Sequence, residues 1–398
     1  MKLTRLQLFD FRNFHRLDLP LDSGPAVFVG DNAQGKTNLL EAVYLLATMR
    51  SPRAETDAQL VRQEALGDVL PAARAVGEIE TAAGPLKVEV ALGLRPGPQG
   101  PIASKVARVN GVPKRLADAV GRLIAVLFTA EDLDLVVGSP SLRRRFLDIT
   151  LSQLDSRYAV ARARYERALL QRNHLLRRIR EREASPDELP FWDDSLARDA
   201  GRIFHARAEA IGALARQARE AHAALAPSEE LSITYLPRLE AGPPDLAADG
   251  PEAATEAYTA ALKRGLSRDV AAGMTLQGPH RDDLTFSLNG HPAAGFVSRA
   301  QQRTIALSLR LAEARFLLDR RRESPVLLLD DVLSEMDAAR RRSVLSSLAQ
   351  YDQLLVTGSD LDRFPPQLLE RAALFAVAGG SVSPLVEQGT AGARTADA

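Results

Sequence analysis

Apolar and polar residues alternate along the first part of the chain, which is the pattern of strands with one buried face. The alternation covers residues 3–14, recurs at 17–21, and is followed by a short all-apolar run at 26–29. Further strand patterns lie at residues 73–81, 86–94, 106–109, 112–115 and 120–128. Asn110-Gly111 between two of these segments is a strong signal for a two-residue hairpin. We therefore predict a β-rich N-terminal part.

The middle of the chain changes to a helical period. Apolar residues recur every three or four positions in residues 154–182, 193–226 and 252–272. The first two segments flank a turn at 185–190 and are predicted to pair as antiparallel helices. Residues 157–182 contain nine arginines and two glutamates, a bias that fits either a nucleic-acid surface or a solvated helix face. A mostly helical insertion is thus predicted over residues 135–273.

A phosphate-binding loop is predicted directly after the apolar run at residues 26–29. It fits the motif G-x-x-x-x-G-K-[ST] and is formed by Gly30, Asp31, Asn32, Ala33, Gln34, Gly35, Lys36 and Thr37, with Asn38 next in the chain. In this motif the glycines let successive N–H groups face one phosphate, and the lysine reaches the β- and γ-phosphates. We therefore predict that this segment binds a nucleotide, with Lys36 as a catalytic group and Thr37 as a Mg²⁺ ligand.

A second nucleotide motif is predicted near the C-terminus, where an apolar run at 325–329 ends in Asp330 and Asp331. An all-apolar run suits a central parallel strand that is buried on both faces. Carboxylates at the C-terminal end of such a strand stand where α/β sheets bind ligands. Asp330 is predicted as a Mg²⁺ ligand, and Asp331 as the catalytic group that orients or deprotonates the attacking water.

Ser298 and Gln301 form a capping box at the start of a helix whose apolar stripe includes Ile305, Leu309 and Phe316. Capping the N-terminus of a helix is by itself a sufficient explanation of the pattern S-x-x-Q. The alternative is that this capped N-terminus also faces a nucleotide phosphate, because helix N-termini favour anions.

The composition restricts the class of protein. The 398 residues include 51 basic and 51 acidic ones, so nucleic-acid binding would have to come from local patches. There is no cysteine, which excludes disulfides and thiolate metal sites and fits a reducing compartment. No apolar run approaches the length of a membrane span and no signal-peptide pattern opens the chain. We therefore expect a cytoplasmic protein that does not bind membranes.

Five motifs in this order resemble the RecF family of bacterial recombination-repair ATPases, which is related to SMC and ABC-type ATPase heads. They are the loop ending at Asn38, the segments 131–148 and 278–283, Ser298 with 301–303, and the segment 329–337. The resemblance implies an α/β fold of the ABC/SMC-type P-loop ATPase head, with a mixed β layer and a parallel-sheet core. It implies four parts, namely the N-terminal half of the head at 1–134, the helical lobe at 135–273, the C-terminal half at 274–388 and a disordered tail at 389–398.

The resemblance also implies a function in DNA replication, recombination, repair and the SOS response. A RecF-like chain would bind ATP and Mg²⁺ and dimerise on ATP, with Ser298 and Gln301 of one copy facing the nucleotide of the other. The dimer would clamp double-stranded DNA at gaps and single-strand/double-strand junctions, and weak DNA-stimulated ATP hydrolysis would reset it. RecO and RecR would be partners in loading RecA. The arginines predicted to contact DNA are Arg143, Arg144, Arg172, Arg177 and Arg180.

Three positions depart from the family pattern, with Ala130 in place of proline, Ala300 in place of glycine and Met336 in place of leucine. The methyl group of Ala300 would stand where a backbone approaches phosphate in trans. Two other types of ATPase head are alternatives, a transporter ATPase subunit and a structural tether. The first usually separates its nucleotide motifs by fewer residues. The second needs helices much longer than the roughly 40 Å that this insertion allows.

Overall fold

The computed structural model describes residues 1–97, 100–239 and 244–385, so the predicted tail at 389–398 lies outside the described residues. The strands are β1 Lys2–Phe11, β2 Phe14–Pro20, β3 Gly24–Val29, β4 Ala72–Thr81, β5 Gly84–Arg95, β6 Ile102–Val109, β7 Val112–Lys114, β8 Ala125–Phe128, β9 Leu231–Leu236, β10 Asp283–Leu288, β11 His291–Pro292, β12 Val326–Asp330, β13 Gln353–Gly358, β14 Ala373–Ala378 and β15 Ser381–Pro384. The helices are α1 Lys36–Thr48, α2 Leu116–Ala119, α3 Leu133–Val137, α4 Pro140–Leu154, α5 Ser156–Arg180, α6 Leu189–Leu225, α7 Gly250–Ala272, α8 Arg299–Arg321, α9 Ala338–Leu348 and α10 Pro366–Leu369.

The chain packs as two compact units. The first unit comprises Met1–Lys114, Leu127–Thr129 and Ser324–Ala398, and the second comprises Arg115–Val126 and Ala130–Glu323. Among the described residues, no helix combines the length and the apolarity needed to cross a bilayer.

The first unit contains two six-stranded sheets. One has the order β2-β1-β4-β5-β6-β7 with antiparallel neighbours, as the alternating pattern predicts. The other has the order β15-β14-β3-β13-β12-β8, in which β14, β3, β13 and β12 run parallel. The parallel strands are almost wholly apolar because both of their faces are covered. The prediction of a parallel-sheet core beside a β layer is confirmed.

Helix α1 contacts strands of both sheets, β4 and β5 on one side and β12 and β13 on the other. Eleven of its thirteen residues are buried, as expected for a helix that has a sheet on each side. This packing fixes the start of α1, which is the end of the predicted phosphate loop.

The second unit is a helical bundle around α6 with the small sheet β11-β10-β9. Helices α5 and α6 are antiparallel, since Arg172 pairs with Asp193 while Arg164 pairs with Asp199. The predicted antiparallel helix pair is thereby confirmed. Helix α8 also packs on α6, and their apolar side chains belong to one hydrophobic cluster.

The division into units differs from the predicted domains for residues 274–323, which we had placed with the C-terminal half of the ATPase head. The physical reason is packing. Strand β10 pairs with β9 along six residue pairs, and Ile305, Leu309 and Phe316 of α8 join the core of the helical unit. Compactness therefore groups this segment with the lobe, while the functional boundaries stay a prediction.

One predicted element is wrong in detail. The apolar run at 120–128 forms a strand only at β8, because the chain turns at Gly121, whose φ is +72°. The predicted helix at 154–182 is confirmed by α5, which begins at Ser156 because Asp155 caps it by accepting a hydrogen bond from the Arg157 N–H. An independent helix, α4, ends immediately before this cap.

Candidate nucleotide site

The predicted phosphate loop lies in the first unit and connects β3 to α1, between the two glycines that its shape requires. A Cβ on Gly30 would stand 2.2 Å from the Val377 carbonyl oxygen, so the strand end leaves no room for a side chain. Gly35 precedes α1 with φ +116°, and a Cβ there would stand 2.5 Å from Asn13 Nδ2. Both positions therefore need glycine, for space at the first and for backbone conformation as well at the second.

Lys36 is 8% exposed and its side chain curls back over the loop. Its Nζ donates hydrogen bonds to the backbone oxygens of Gly30, at 2.6 Å, and Asp31, at 2.8 Å. The ammonium group is thereby held at the mouth of the loop, at the N-terminus of α1. This arrangement places a fixed positive charge beside the free N–H groups of a helix start, which is a favourable site for phosphate.

Thr37 meets the second predicted motif at the C-terminal edge of the parallel sheet. Thr37 Oγ1 donates to Asp330 Oδ1 at 2.9 Å, although 293 residues separate the two. Thr357, at the end of β13 between β3 and β12, donates to the same carboxylate oxygen at 2.8 Å. A hydroxyl that donates its hydrogen to a carboxylate keeps its lone pairs for a cation.

The donor set at this edge fits Mg²⁺ and not a protein cage for a metal. No group of three or more His, Cys, Asp or Glu side chains that could hold a metal lies within the described residues. Mg²⁺ is typically bound through one or two protein oxygens, with waters and phosphate oxygens completing its octahedron. Thr37 Oγ1 and the Asp330 carboxylate supply that number of oxygens.

Asp331 follows β12 in a left-handed conformation, with φ +54°, and is exposed. Its N–H donates to Thr357 Oγ1 at 3.0 Å. The backbone thus turns sharply after the first acid, so that Asp330 contacts Thr37 while Asp331 is exposed. Two neighbouring carboxylates are given different environments, as two different roles would require.

Sequence reasoning missed the residues that hold the loop from outside. Asn13 Nδ2 donates to the Gln34 carbonyl oxygen at 2.8 Å, and Asn13 Oδ1 accepts from Asn38 Nδ2 at 2.8 Å. From the other end of the chain, the Gly379 N–H donates to Gln34 Oε1 at 2.7 Å. The Gly379-Gly380 dipeptide is a turn signal in the sequence, but nothing local connects it to residue 34.

Ser298 and Gln301 lie in the second unit, and the predicted capping box at the start of α8 is confirmed. Ser298 Oγ accepts from the Gln301 N–H at 3.3 Å, while Gln301 Oε1 accepts from the Ser298 N–H at 2.8 Å. Ser298, Arg299 and Ala300 are exposed. The helix therefore presents an exposed, capped N-terminus, and its contact with a nucleotide stays a prediction.

The arginines predicted to contact DNA fall into two groups. The prediction is wrong for Arg172, which is 0% exposed and bonded to Asp193 and Asp269 at 2.6 and 2.7 Å. It is also wrong for Arg143, a buried side chain whose guanidinium forms a double hydrogen bond with Asp283 at 2.7 and 3.0 Å. Charge counting along one helix could not show these acids, because they come from distant segments.

The other three arginines keep their predicted role as a hypothesis. Arg177 and Arg180 are exposed near the end of α5. Arg144 is partly buried and donates to the Asp282 carbonyl oxygen at 2.7 Å.

The motif at residues 278–283 forms a buried polar cluster of the second unit. Arg207 donates to Asp282 Oδ2 at 2.9 Å and to Asp148 Oδ1 at 2.8 Å. Burial raises the pKa of Asp282 despite the neighbouring Arg207, and burial also raises the pKa of Tyr235, whose hydroxyl donates to the same carboxylate. The buried acids of the cluster are paired with Arg207, and these contacts stabilise the second unit.

Comparison with known proteins decides the family. A family model described as the RecF/RecN/SMC N-terminal domain matches residues 2–364. A relative from Chloroflexus aurantiacus is 42% identical, and one from Herpetosiphon aurantiacus is 40% identical. Each alignment covers 96% of this chain and at least 99% of the relative, and each relative is called DNA replication and repair protein RecF. The chain belongs to the RecF family.

Solved structures agree with this membership. A structure of the recombination mediator protein RecF with ATP in the RecFOR pathway has a TM-score of 0.84 at 30% identity, and the match covers 96% of this chain and 97% of that one. An Smc head bound to the C-terminal winged-helix domain of ScpA has a TM-score of 0.51 at 14% identity over 98% of both chains, which shows a shared fold. The fold of this RecF-family chain is therefore that of an ABC/SMC-type ATPase head. RecF relatives that match from end to end favour a repair protein over a transporter subunit or a structural tether.

Proposed function

We propose that this chain is an ATP-dependent DNA clamp of recombinational repair in the cytoplasm, which dimerises on ATP and is reset by weak, DNA-stimulated hydrolysis. The observation that carries the proposal is the meeting of Thr37 with Asp330, 2.9 Å apart, beside the Lys36 ammonium inside its loop. The presence of ATP in a RecF structure of the same fold supports ATP as the nucleotide.

In this proposal each residue of the two nucleotide motifs has one role. The N–H groups at the start of α1 and the Lys36 ammonium bind the β- and γ-phosphates. Thr37 and Asp330 would hold Mg²⁺, which would supply positive charge against the phosphate oxygens. Asp331 accepts a proton from the attacking water or orients it, and its exposure leaves room for that water.

A second copy of the chain would complete the site. Ser298 and Gln301 of that copy would face the γ-phosphate with the N-terminus of α8, where the dipole favours an anion. Exposure of Ser298, Arg299 and Ala300 supports this arrangement, since an end meant for a partner must be accessible in the monomer. The Ala300 methyl group is a feature of that interface and not of the P-loop.

The closed dimer would hold double-stranded DNA at gaps and junctions, and would act with RecO and RecR in loading RecA. The RecFOR pathway named for the ATP-bound relative supports these partners. Exposed Arg177 and Arg180 are the candidates for phosphate contacts in this chain.

The test combines nucleotide-dependent dimerisation with DNA binding. Wild-type protein is expected to dimerise in sedimentation velocity only with ATP and Mg²⁺, and to bind duplex DNA more tightly under the same conditions. Lys36→Ala should abolish both effects. Asp331→Asn should dimerise and bind DNA but release phosphate at least about a hundredfold more slowly, a typical loss for a general base. A wild-type chain that stays monomeric with ATP, or Asp331→Asn with normal phosphate release, would refute the corresponding part of the proposal.

A further inference from the structure

A chain of polar side chains joins the end of α6 to the start of α8 and runs from Gln301 to residues that have no role in the proposed function. Gln301 Nε2 donates to Glu229 Oε1 at 3.0 Å. The second oxygen of Glu229 accepts from His222 Nε2 at 3.2 Å, and His222 Nδ1 lies 3.1 Å from Ser308 Oγ in α8. His222 and Ser308 are both 0% exposed. Glu229 thus links the capping residue of α8 to a fully buried histidine.

Glu229 determines which way the Gln301 amide points. A carboxylate can only accept hydrogen bonds, so Gln301 must turn its NH₂ toward Glu229 and its oxygen toward the Ser298 N–H. The reversed amide would put two donors against each other at Ser298 and two oxygens against each other at Glu229. The capping box therefore forms in the observed sense because Glu229 is there.

The hydrogen bonds of His222 in turn hold Glu229. A carboxylate can only accept hydrogen bonds, so Glu229 receives a hydrogen from His222 Nε2 at 3.2 Å. His222 Nδ1 lies 3.1 Å from Ser308 Oγ, and Ser308 is itself held by its hydrogen bond to the Thr304 carbonyl oxygen at 2.7 Å. Contacts at both ring nitrogens fix the buried ring, and the ring in turn holds the Glu229 carboxylate in one geometry.

We propose that Glu229, held by His222, is a positioning residue for the nucleotide-facing end of α8. It orients the Gln301 amide, and through it Ser298, in the arrangement that receives the nucleotide of a second copy. The inference rests on the proposed ATP-dependent dimer and adds to it two residues that contact neither nucleotide nor metal.

The test compares Glu229→Ala with Glu230→Ala, a neighbouring exposed carboxylate. ATP binding to the dilute monomer measures the P-loop alone and should change less than about twofold in both variants. Dimerisation with ATP and Mg²⁺ should weaken about ten- to a hundredfold in Glu229→Ala, as expected for removal of a hydrogen bond to a charged group, and not in Glu230→Ala. Glu229→Gln keeps one acceptor for Gln301 and should recover most of the dimerisation, which a general packing role would not explain.

Two further readouts keep the outcomes apart. Hydrogen exchange of the Ser298 and Gln301 amides in the nucleotide-free monomer should accelerate at least about tenfold in Glu229→Ala, because their caps loosen. The ¹⁵N spectrum of His222 should show a hydrogen on Nε2 in wild type, and the Nε2 signal should shift in Glu229→Ala because its acceptor is gone. Wild-type dimerisation with an equally competent Glu229→Ala would overturn this inference and leave the proposed function intact. A wild type that fails to dimerise with ATP would overturn both.

Discussion

Arg172 and the exposed arginines near the end of α5 provide a sharp test of how this arginine-rich helix is used. Arg172 is fully buried, with hydrogen bonds of 2.6 Å to Asp193, 2.7 Å to Asp269 and 2.8 Å to Thr275. Replacing it with methionine keeps much of the volume but leaves two acids without their partner. Breaking a buried ion pair from one side costs about 3–5 kcal/mol, a large part of the 5–15 kcal/mol or so that a typical domain has.

The exposed arginines should behave in the opposite way. Arg180 forms a surface pair with Glu181 at 3.7 Å and a long hydrogen bond of 3.5 Å to the Ala272 carbonyl oxygen, and exposed ion pairs contribute about 0–1 kcal/mol. The double variant Arg177→Gln/Arg180→Gln should therefore unfold in urea within about 0.5 kcal/mol of wild type. Its DNA affinity should depend less on salt, with the logarithmic slope reduced by about 0.9 for each DNA phosphate that the variant no longer neutralises.

The assay is urea unfolding followed by DNA binding over a range of salt concentrations, at temperatures where each variant is folded. Arg157→Gln is a matched control on the same helix, since Arg157 is exposed and pairs with nearby Asp155. Arg172→Met should be less stable and keep the wild-type salt slope. A stable Arg172→Met with a reduced salt slope would refute the structural role of Arg172. An unchanged salt slope in the double variant would show that Arg177 and Arg180 do not contact DNA phosphates.

Two further predictions concern the second unit. Burial lowers the pKa of His280 to about 4, below its ordinary 6.5, and the ring bonds Tyr165 and Thr275. As the pH falls, the unfolded state takes up the proton first, so this residue should lower the free energy of unfolding by about 2 kcal/mol between about pH 7 and pH 5. In urea unfolding, His280→Gln should remove that part of the loss of stability at acid pH. An unaltered pH dependence in the variant would contradict the lowered pKa. Phe296 lies two residues before Ser298 and is 77% exposed. If the dimer buries this aromatic side chain, Phe296→Ser should weaken ATP-dependent dimerisation about tenfold in sedimentation. The control Phe191→Ser removes a phenylalanine that is 72% exposed elsewhere and should leave dimerisation unchanged. Equal dimerisation of both variants would place Phe296 outside the interface.

Local patterns predicted the elements that are determined by neighbouring residues. The predicted hairpin at Asn110-Gly111 has the positive φ values that its two-residue turn requires. The P-loop glycines and the Ser298 cap likewise depend on short-range geometry. These features could be predicted because their physical causes lie within a few residues in sequence.

What could not be predicted depends on contacts between distant segments. The charge pattern of α5 does not reveal that Asp269 is opposite Arg172, 97 residues away. The support of the phosphate loop by Asn13 and Gly379 is similar, since the latter is 345 residues from Gln34.

The Thr37–Asp330 hydrogen bond joins the two nucleotide motifs of the first unit before any ligand is bound. Thr37 gives its hydrogen to Asp330 and keeps its lone pairs, so Mg²⁺ can bind without breaking the contact that joins the two motifs. Thr357 holds Asp330 from the neighbouring strand, which fixes this edge of the sheet before any ligand arrives. The residues proposed to bind phosphate and metal are thus preorganised in the first unit. The orientation of the exposed α8 N-terminus is set by its own cap and by Glu229. Under the proposed function, ATP binding to the monomer requires little rearrangement, and the free energy of dimerisation depends on how accurately Ser298 of the second copy is held.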